Sequence, residues 1–350
     1  MRILIATDAW TPQINGVVRV FQVTAEHLRA FGHEVEVVGP DRFPLTLPAP
    51  GYPEVRLAVA PGRRLARLIE AFRPDAIHVP VEGPIGLAAR RYCRRRGIPF
   101  TTSFHTRFAD YFEKRLGRGG SLALAAQRWF HRGGRAIMVQ TDTLERQLTA
   151  SGFGPVRRWG RAVDTQGFRP LRDEPDFDAD FLALPRPIFL YLGRVSPEKN
   201  LDAFLGLDLP GSRVVVGDGP ALATLRARYP AVHFLGYRTG RDLARHFSAA
   251  DVFVFPSRFE TFGLVVLESL SCGTPVAALP VPGPLDILGP TPLVARLSED
   301  LRAAALDALS IDREACRRFA EGFSWEECTR EFERNLELIP AATWDAPIRG

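Results

Sequence analysis

Lysine is almost missing from this chain: Lys114 and Lys199 stand beside 43 arginines. Where arginine fills almost every surface cation position, a retained lysine points to a need for a compact point charge. Cysteine is scarce too. Cys93, Cys272, Cys316 and Cys328 include no close pair spaced for zinc or a redox dithiol, and four in 350 residues fit a reducing compartment. No apolar run approaches the roughly 18 residues of a membrane span. The opening run from Met1 to Ile5, stopped by Asp8, is too short for a signal-peptide core. The expected location is therefore cytoplasmic. A dinucleotide fingerprint is also missing: the first strand is followed by DAWTPQINGV and Leu192 by GRVSPEKN. Gly217-Asp218-Gly219 supplies only two glycines, with Leu222 where the third belongs. That counts against a nicotinamide oxidoreductase.

What is present has the length for two domains and the composition of a globular protein. In the first half, strands at Ile3–Thr7, Val35–Val38, Val55–Val59, Ala76–Val79, Phe100–Phe104 and Ile137–Gln140 alternate with helices at Val17–Phe31, Arg63–Phe72 and Pro84–Arg96. Such alternation predicts a parallel sheet covered by helices. The Pro-rich stretch from Asp164 to Pro187 interrupts it, and strands resume at Ile188–Leu192, Arg213–Val216, Val232–Leu235, Val252–Phe255 and Pro275–Ala278. The expected division is 1–167, a linker at 168–187, a second domain at 188–322, and a last helix and tail at 323–350. Ser324-Trp325-Glu326-Glu327 forms a capping box for that helix, which is expected to run towards Ile339.

Charge is uneven. Residues 1–168 hold 25 basic and 14 acidic side chains (+11), and residues 169–350 hold 20 and 26 (−6). The basic clusters Arg63-Arg64 with Arg67, Arg90-Arg91 with Arg94-Arg95-Arg96, and Lys114-Arg115 to Arg135 carry Leu122, Trp129 and Phe130 among them. Such a surface suits an anionic lipid headgroup layer, suits nucleic acid as well, and also reads as solvated helix faces in an arginine-rich chain.

The stretch from Asp251 to Ala277 carries the chemistry. An apolar strand empties through a polar loop into a helix opening at Thr261-Phe262-Gly263. The first turn of a helix has N–H groups without intrahelical partners and the positive end of the macrodipole, so it is an anion site. Glu260 lies before that turn and Glu268 one turn beyond Leu264. Carboxylates beside an anion site make sense for a diphosphate with hydroxyl-rich groups at both ends, since a carboxylate accepts paired bonds from vicinal hydroxyls. A nucleotide sugar has that form.

The whole string FETFGLVVLESLSCGTPV, with Glu260-x7-Glu268, resembles the signature of retaining glycosyltransferases of family four (group 1), among them GDP-mannose-dependent α-mannosyltransferases and sulfoquinovosyl- or glycosyl-diacylglycerol synthases. The resemblance implies the α/β GT-B fold, two Rossmann-like domains facing a cleft with a C-terminal helix crossing back to the first. It implies that Glu260 contacts the donor sugar, that the amides of Phe262, Gly263 and Leu264 hold the diphosphate, and that Glu268 takes the ribose hydroxyls. LGRVSPEKN matches closely, placing Gly193, Arg194 and Lys199 at the diphosphate, where the cations would stabilise leaving-group charge. Asn15, Gly16 and Val17 correspond to the family's glycine-containing loop near the donor phosphate and acceptor; Gly16 is expected to supply an unusual backbone angle. His105, in SFHTRF, corresponds to the histidine against the donor sugar, giving it a transition-state contact. Phe234, in FLGY, is expected near the nucleobase. Arg107, Asp110 and Tyr111 are placed near the acceptor by position alone.

WGRAVD departs from the family at Ala162, where glycine is usual, which puts the local backbone in doubt. The D-x-D string Asp176-Phe177-Asp178 sits in the linker and reads as a solvated acidic loop. No metal and no cofactor is expected. SFHTRF, WGRAVD and PVPGPLD are most similar to GDP-mannose-dependent enzymes and their glycolipid-synthase neighbours. The expected activity is hexose transfer, mannose from GDP-mannose favoured, to a membrane lipid or glycolipid. The alternatives are a UDP-sugar-dependent diacylglycerol glycosyltransferase and, in a different class, a non-catalytic sugar-nucleotide or membrane-binding protein. The partners expected are the nucleotide sugar (GDP-mannose or a UDP-sugar), a lipid-linked acceptor and an anionic membrane surface at the inner face of the plasma membrane, without nucleic acid.

Overall fold

The structure, a computed structural model, describes residues 1–13, 16–49, 52–105, 120–171, 177–258, 263–289 and 293–345. Contacts divide the chain into two units, Met1–Gly160 with Trp325–Gly350, and Arg161–Ser324.

In the first unit the strands are β1 (Arg2–Ala6), β2 (Glu34–Val38), β3 (Thr46–Ala49), β4 (Tyr52–Ala58), β5 (Ala76–Val79), β6 (Thr101–Ser103), β7 (Ala136–Val139) and β8 (Val156–Arg158). Six of them form a parallel sheet in the order β2-β1-β5-β6-β7-β8. Ile3, Leu4, Ile5, Ile77, Val79, Ile137 and Val139 are buried, as central strands covered on both faces require. The helix Gly16–Ala30 buries Val18, Phe21, Ala25 and Leu28 at helical spacing.

Two sequence expectations are corrected here. The strand expected at Val55–Val59 in the parallel sheet is β4, which pairs antiparallel with β3 in a separate hairpin. Pro48 and Pro53 lack the donor a central strand needs. The last helix spans Trp325–Asn335 and stops short of Ile339. Leu338 instead forms an antiparallel bridge with Ala76, and the Ile339 amide donates to the Asp75 carbonyl at 2.8 Å. Pro340 disfavours helical geometry at the residue before it. The helix itself belongs to the first unit: Phe332 packs against His78 and Trp159, and Glu331 accepts from the Gly160 amide at 2.6 Å.

In the second unit β9 (Ile188–Leu192), β10 (Ser212–Val216), β11 (His233–Gly236), β12 (Val252–Phe255), β13 (Val276–Ala278) and β14 (Ala295–Leu297) form a parallel sheet in the order β11-β10-β9-β12-β13-β14. This is the strand order of a Rossmann sheet. The stretch 168–187, expected as a linker, sends Leu171 and Phe181 into the core of this unit. Asp178 of the D-x-D string caps the short helix Ala179–Leu182 by accepting from the Phe181 amide at 3.1 Å.

Candidate functional site

In an open parallel sheet, ligands bind beyond the carboxyl ends of the strands where the strand order reverses. In the second unit that point lies between β9 and β12. Gly193 leaves β9 with φ +149°, and Val195 is wholly buried, so the segment turns sharply with Arg194 exposed at its tip. Tyr191, itself buried, donates its hydroxyl to the Arg194 carbonyl at 2.8 Å. The segment then winds into a 3-10 turn, Pro197–Lys199, ended by Asn200 in the left-handed region. Asn200 Nδ2 donates to the Pro256 carbonyl at 3.0 Å, tying the turn that carries Lys199 to the loop beyond β12.

That loop leads to the helix Leu264–Ser271, whose N-cap is Gly263 with φ +62°. Gly263 is buried, Leu264 and Glu268 are half-buried, and Val266, Leu267 and Leu270 are fully buried. A neighbouring helix, Arg313–Glu321, holds this one from behind. Arg317 donates through one nitrogen to the Phe168 and Ser271 carbonyls and the Ser271 hydroxyl, and Arg313 donates to the Thr274 hydroxyl and two further carbonyls. A fixed helix start and two cationic side chains on a braced turn are the components of an oxyanion site.

Gly217 and Gly219 also find their reason. The Gly193 amide donates to the Val216 carbonyl and the Val195 amide to Asp218, so the loops after β9 and β10 run together. A Cβ on Gly217 would lie 1.9 Å from the Gly193 carbonyl oxygen, and one on Gly219 would lie 2.3 Å from that of Val195. These glycines permit backbone to meet backbone.

In the first unit the order reverses between β1 and β5, and β6 lies next to β5. His105 follows β6 and is 5% exposed. Its Nε2 is 2.6 Å from Ser103 Oγ, and its ring meets Phe21 edge-on with centroids 5.4 Å apart. Burial, followed by the neighbouring His131, pushes its pKa down to about 3, so the imidazole is neutral at physiological pH. His78 on β5, wholly buried, is held well below the usual histidine range by burial first and then by His105 and His131. At the other side of the switch point Asp8 accepts from the Ile85 and Gly86 amides, each at 3.0 Å, at the start of the helix Pro84–Arg96. Burial raises its pKa to about 6 against the lowering effect of those two bonds.

The structure thus places Gly193, Arg194 and Lys199 on the segment after β9, tied through Asn200 to Pro256 just beyond β12, and His105 at the carboxyl edge of the first sheet. Glu260, Phe262, Asn15, Arg107, Asp110 and Tyr111 lie outside the described residues. The expectation for Gly16 is corrected. It opens the helix Gly16–Ala30 without a positive φ, and a Cβ there would meet nothing within 4 Å; Val17 beside it is half-buried. Phe234 on β11 is half-buried, with Arg226 over its ring. A pocket of about 510 Å³ beyond β11 is lined by Tyr237, Arg238, Asp242 and His246, among others, and includes none of the expected site residues.

Of the basic clusters, Arg63, Arg64, Arg67, Arg91, Arg94 and Arg95 are exposed, but Arg90 is not. It stacks on Trp129 at 3.7 Å and donates to the Trp129 and Phe130 carbonyls. Asp8, His78 and Asn200 escaped sequence reasoning; the readable signal was a histidine inside the buried strand Ala76–Val79.

Among the described residues no helix is long and apolar enough to cross a membrane. Two family models match the chain, Glycosyltransferase Family 4 over residues 14–166 and Glycosyl transferases group 1 over residues 186–311. The chain is 33% identical over 315 residues to the GDP-mannose-dependent alpha-mannosyltransferase of Mycobacterium tuberculosis (strain CDC 1551 / Oshkosh), covering 83% of this chain and 82% of that one. It is 30% identical to the sulfoquinovosyl transferase SQD2 of Arabidopsis thaliana, covering 95% and 72%. Among solved structures, sucrose-phosphate synthase from Thermosynechococcus elongatus matches with a TM-score of 0.73 at 20% identity, covering 95% of this chain and 97% of that one.

Proposed function

The chain belongs to the family 4, group 1 glycosyltransferases with the GT-B fold, and from that premise we propose that it transfers mannose from GDP-mannose to a lipid or glycolipid acceptor, with retention and without a metal ion. The observation that carries the donor half is the joining of the Lys199 turn, through Asn200 and the Pro256 carbonyl, to the loop that enters the Gly263-capped helix. As the sugar–phosphate bond loosens, the anomeric carbon becomes oxocarbenium-like and the nucleoside diphosphate gains charge. Cations and helix amides aimed at the phosphates then act more on the transition state than on the ground state. Arg194 forks onto phosphate oxygens, Lys199 adds a point charge, and the amides at Gly263 and Leu264 take the remaining oxygens. Glu268 receives the ribose hydroxyls, and Glu260 and neutral His105 contact the sugar. Retention is assigned to front-face substitution guided by the leaving phosphate.

Mannose is favoured by the 33% identity to a GDP-mannose-dependent enzyme across 83% of the chain. A lipid acceptor is favoured by the exposed arginines of the first unit together with Leu122, 75% exposed. Isothermal titration with GDP, UDP and ADP, with acceptor-free hydrolysis of GDP-mannose and UDP-sugars, tests the reading. GDP selectivity with slow GDP-mannose hydrolysis is expected. A preference for UDP moves the assignment to a UDP-sugar-dependent glycolipid synthase, and no nucleotide binding refutes the donor site.

A further inference from the structure

The centre of the first sheet carries polar groups where a covered parallel strand ordinarily carries valine and isoleucine. β6 is Thr101-Thr102-Ser103, three buried hydroxyls in a row, lying between β5 and β7. Alternation along the strand sends Thr101 and Ser103 to one face and Thr102 to the other. On the first face His78 spans both hydroxyls, Nδ1 at 2.8 Å from Thr101 Oγ1 and Nε2 at 3.0 Å from Ser103 Oγ. Ser103 Oγ is in turn 2.6 Å from His105 Nε2. On the second face Thr102 Oγ1 meets His131 Nδ1 at 2.9 Å, and His131 Nε2 meets Glu82 at 3.3 Å.

We propose that Ser103 and His78 are positioning residues for His105, joined in a relay Thr101–His78–Ser103–His105 that fixes the plane of the His105 imidazole and couples its tautomer to that of His78. Among the described residues, the hydrogen-bond contacts of Ser103 Oγ are the two imidazole Nε2 atoms. A hydroxyl has one proton to give and lone pairs to receive. Both contacts are hydrogen bonds, with the buried Ser103 proton placed, when one Nε2 is protonated and donates to Oγ while the other is bare and accepts from it. His78 and His105 therefore carry opposite Nε2 protonation. Fixing Nε2 of His105 fixes whether its Nδ1 offers a proton or a lone pair. The far end has its partner as well, because Thr101 Oγ1 can donate to a bare His78 Nδ1 or accept from a protonated one. Phe21, in contact with both rings, and Phe332, against His78, restrict rotation of the pair.

The catalytic consequence rests on the proposed contact between His105 and the sugar; the relay itself does not. Nitrogen-15 NMR of histidine-labelled full-length protein reads the tautomers directly. The expected result is complementary Nε2 protonation at His105 and His78, the protonated fraction of one matching the bare fraction of the other. Ser103→Ala should uncouple the two tautomers and give a fall in kcat of about tenfold, the order of one lost orienting hydrogen bond, with KM for GDP-mannose within about twofold. Ser103→Thr, which keeps the hydroxyl, should restore most of both. Thr101→Val, close in shape, removes the distant partner and should shift His78 and, in complement, His105. It carries the test if Ser103→Ala does not fold. Unchanged His105 tautomer populations in Ser103→Ala or Thr101→Val overturn the relay. Full turnover in His105→Ala overturns the sugar-contact reading and the kinetic part of this proposal, while the NMR result decides the relay separately.

Discussion

Lys199 owes its placement to a turn rather than to its own chain: Asn200 in the left-handed region closes the turn and ties it to Pro256. If the ammonium meets developing phosphate charge, Lys199→Ala should lower turnover by on the order of a hundredfold in steady-state assays with GDP-mannose. Near-normal turnover would remove it from the site. Buried titratable groups make stability depend on pH in two opposed windows. His78 and His105 both have folded pKa values below the 6.5 of the free side chain, so the stability that goes with their neutral forms is present above pH 6.5 and is lost as pH falls through the folded values, about 3 for His105 and well below 6.5 for His78. Asp8 is raised from 3.8 to about 6, so its contribution is present below 3.8 and is lost as pH rises through 6. Between these values two imidazoles outweigh one carboxyl, and urea midpoints should fall from pH 6 to pH 4. By the same count, double replacement of His78 and His105 by Gln leaves the opposed contribution of Asp8 and should reverse that slope, and an unchanged slope would assign it to other groups. The role of Asp8 was not legible in the sequence because its partners, Ile85 and Gly86, lie 77 and 78 residues away.

Elements with long apolar runs were legible: β9 and β12 lie at the expected residues because five or four consecutive buried apolar residues have few alternatives. The short β3 was missed, since Thr46–Ala49 is half exposed and contains Pro48, and its absence from the reading put β4 in the wrong sheet. The glycines of the second unit were legible as turn residues but not as contacts, because the meeting of the loops after β9 and β10 is a tertiary fact. Gly217→Ala should destabilise the protein by about 2–4 kcal/mol in chemical denaturation, as a buried clash with backbone does. Gly236→Ala, at φ +73° with nothing within 4 Å, should cost about 1–2 kcal/mol for backbone geometry alone. Equal losses at the two positions would mean that the loops do not touch. Arg317→Leu, which strips hydrogen bonds from the Phe168 and Ser271 carbonyls, should loosen the helix carrying Glu268 and lower the thermal midpoint and GDP affinity together.

For the molecule as a whole, the excess of basic residues before Phe168 makes membrane association a question of salt. If the exposed arginines meet lipid headgroups, co-sedimentation with anionic vesicles should weaken steeply between 0.1 and 1 M salt, over which the screening length falls from about 10 to about 3 Å. Binding that ignores salt, or none, returns those arginines to solvated helix faces. The division of the chain bears on its synthesis. The second unit is continuous from Arg161 to Ser324, whereas the first is interrupted by it and completed only by the helix Trp325–Asn335 and the Leu338 bridge. On a ribosome the amino-terminal sheet emerges first yet must wait for its closing piece. Phe21, His78 and Trp159 lack Phe332, and Gly160 lacks Glu331, until residues 331 and 332 have been made. The unit that starts second is the one able to finish first, and a stalled or nicked chain ending at Ser324 would leave the half that carries His105 open to proteases.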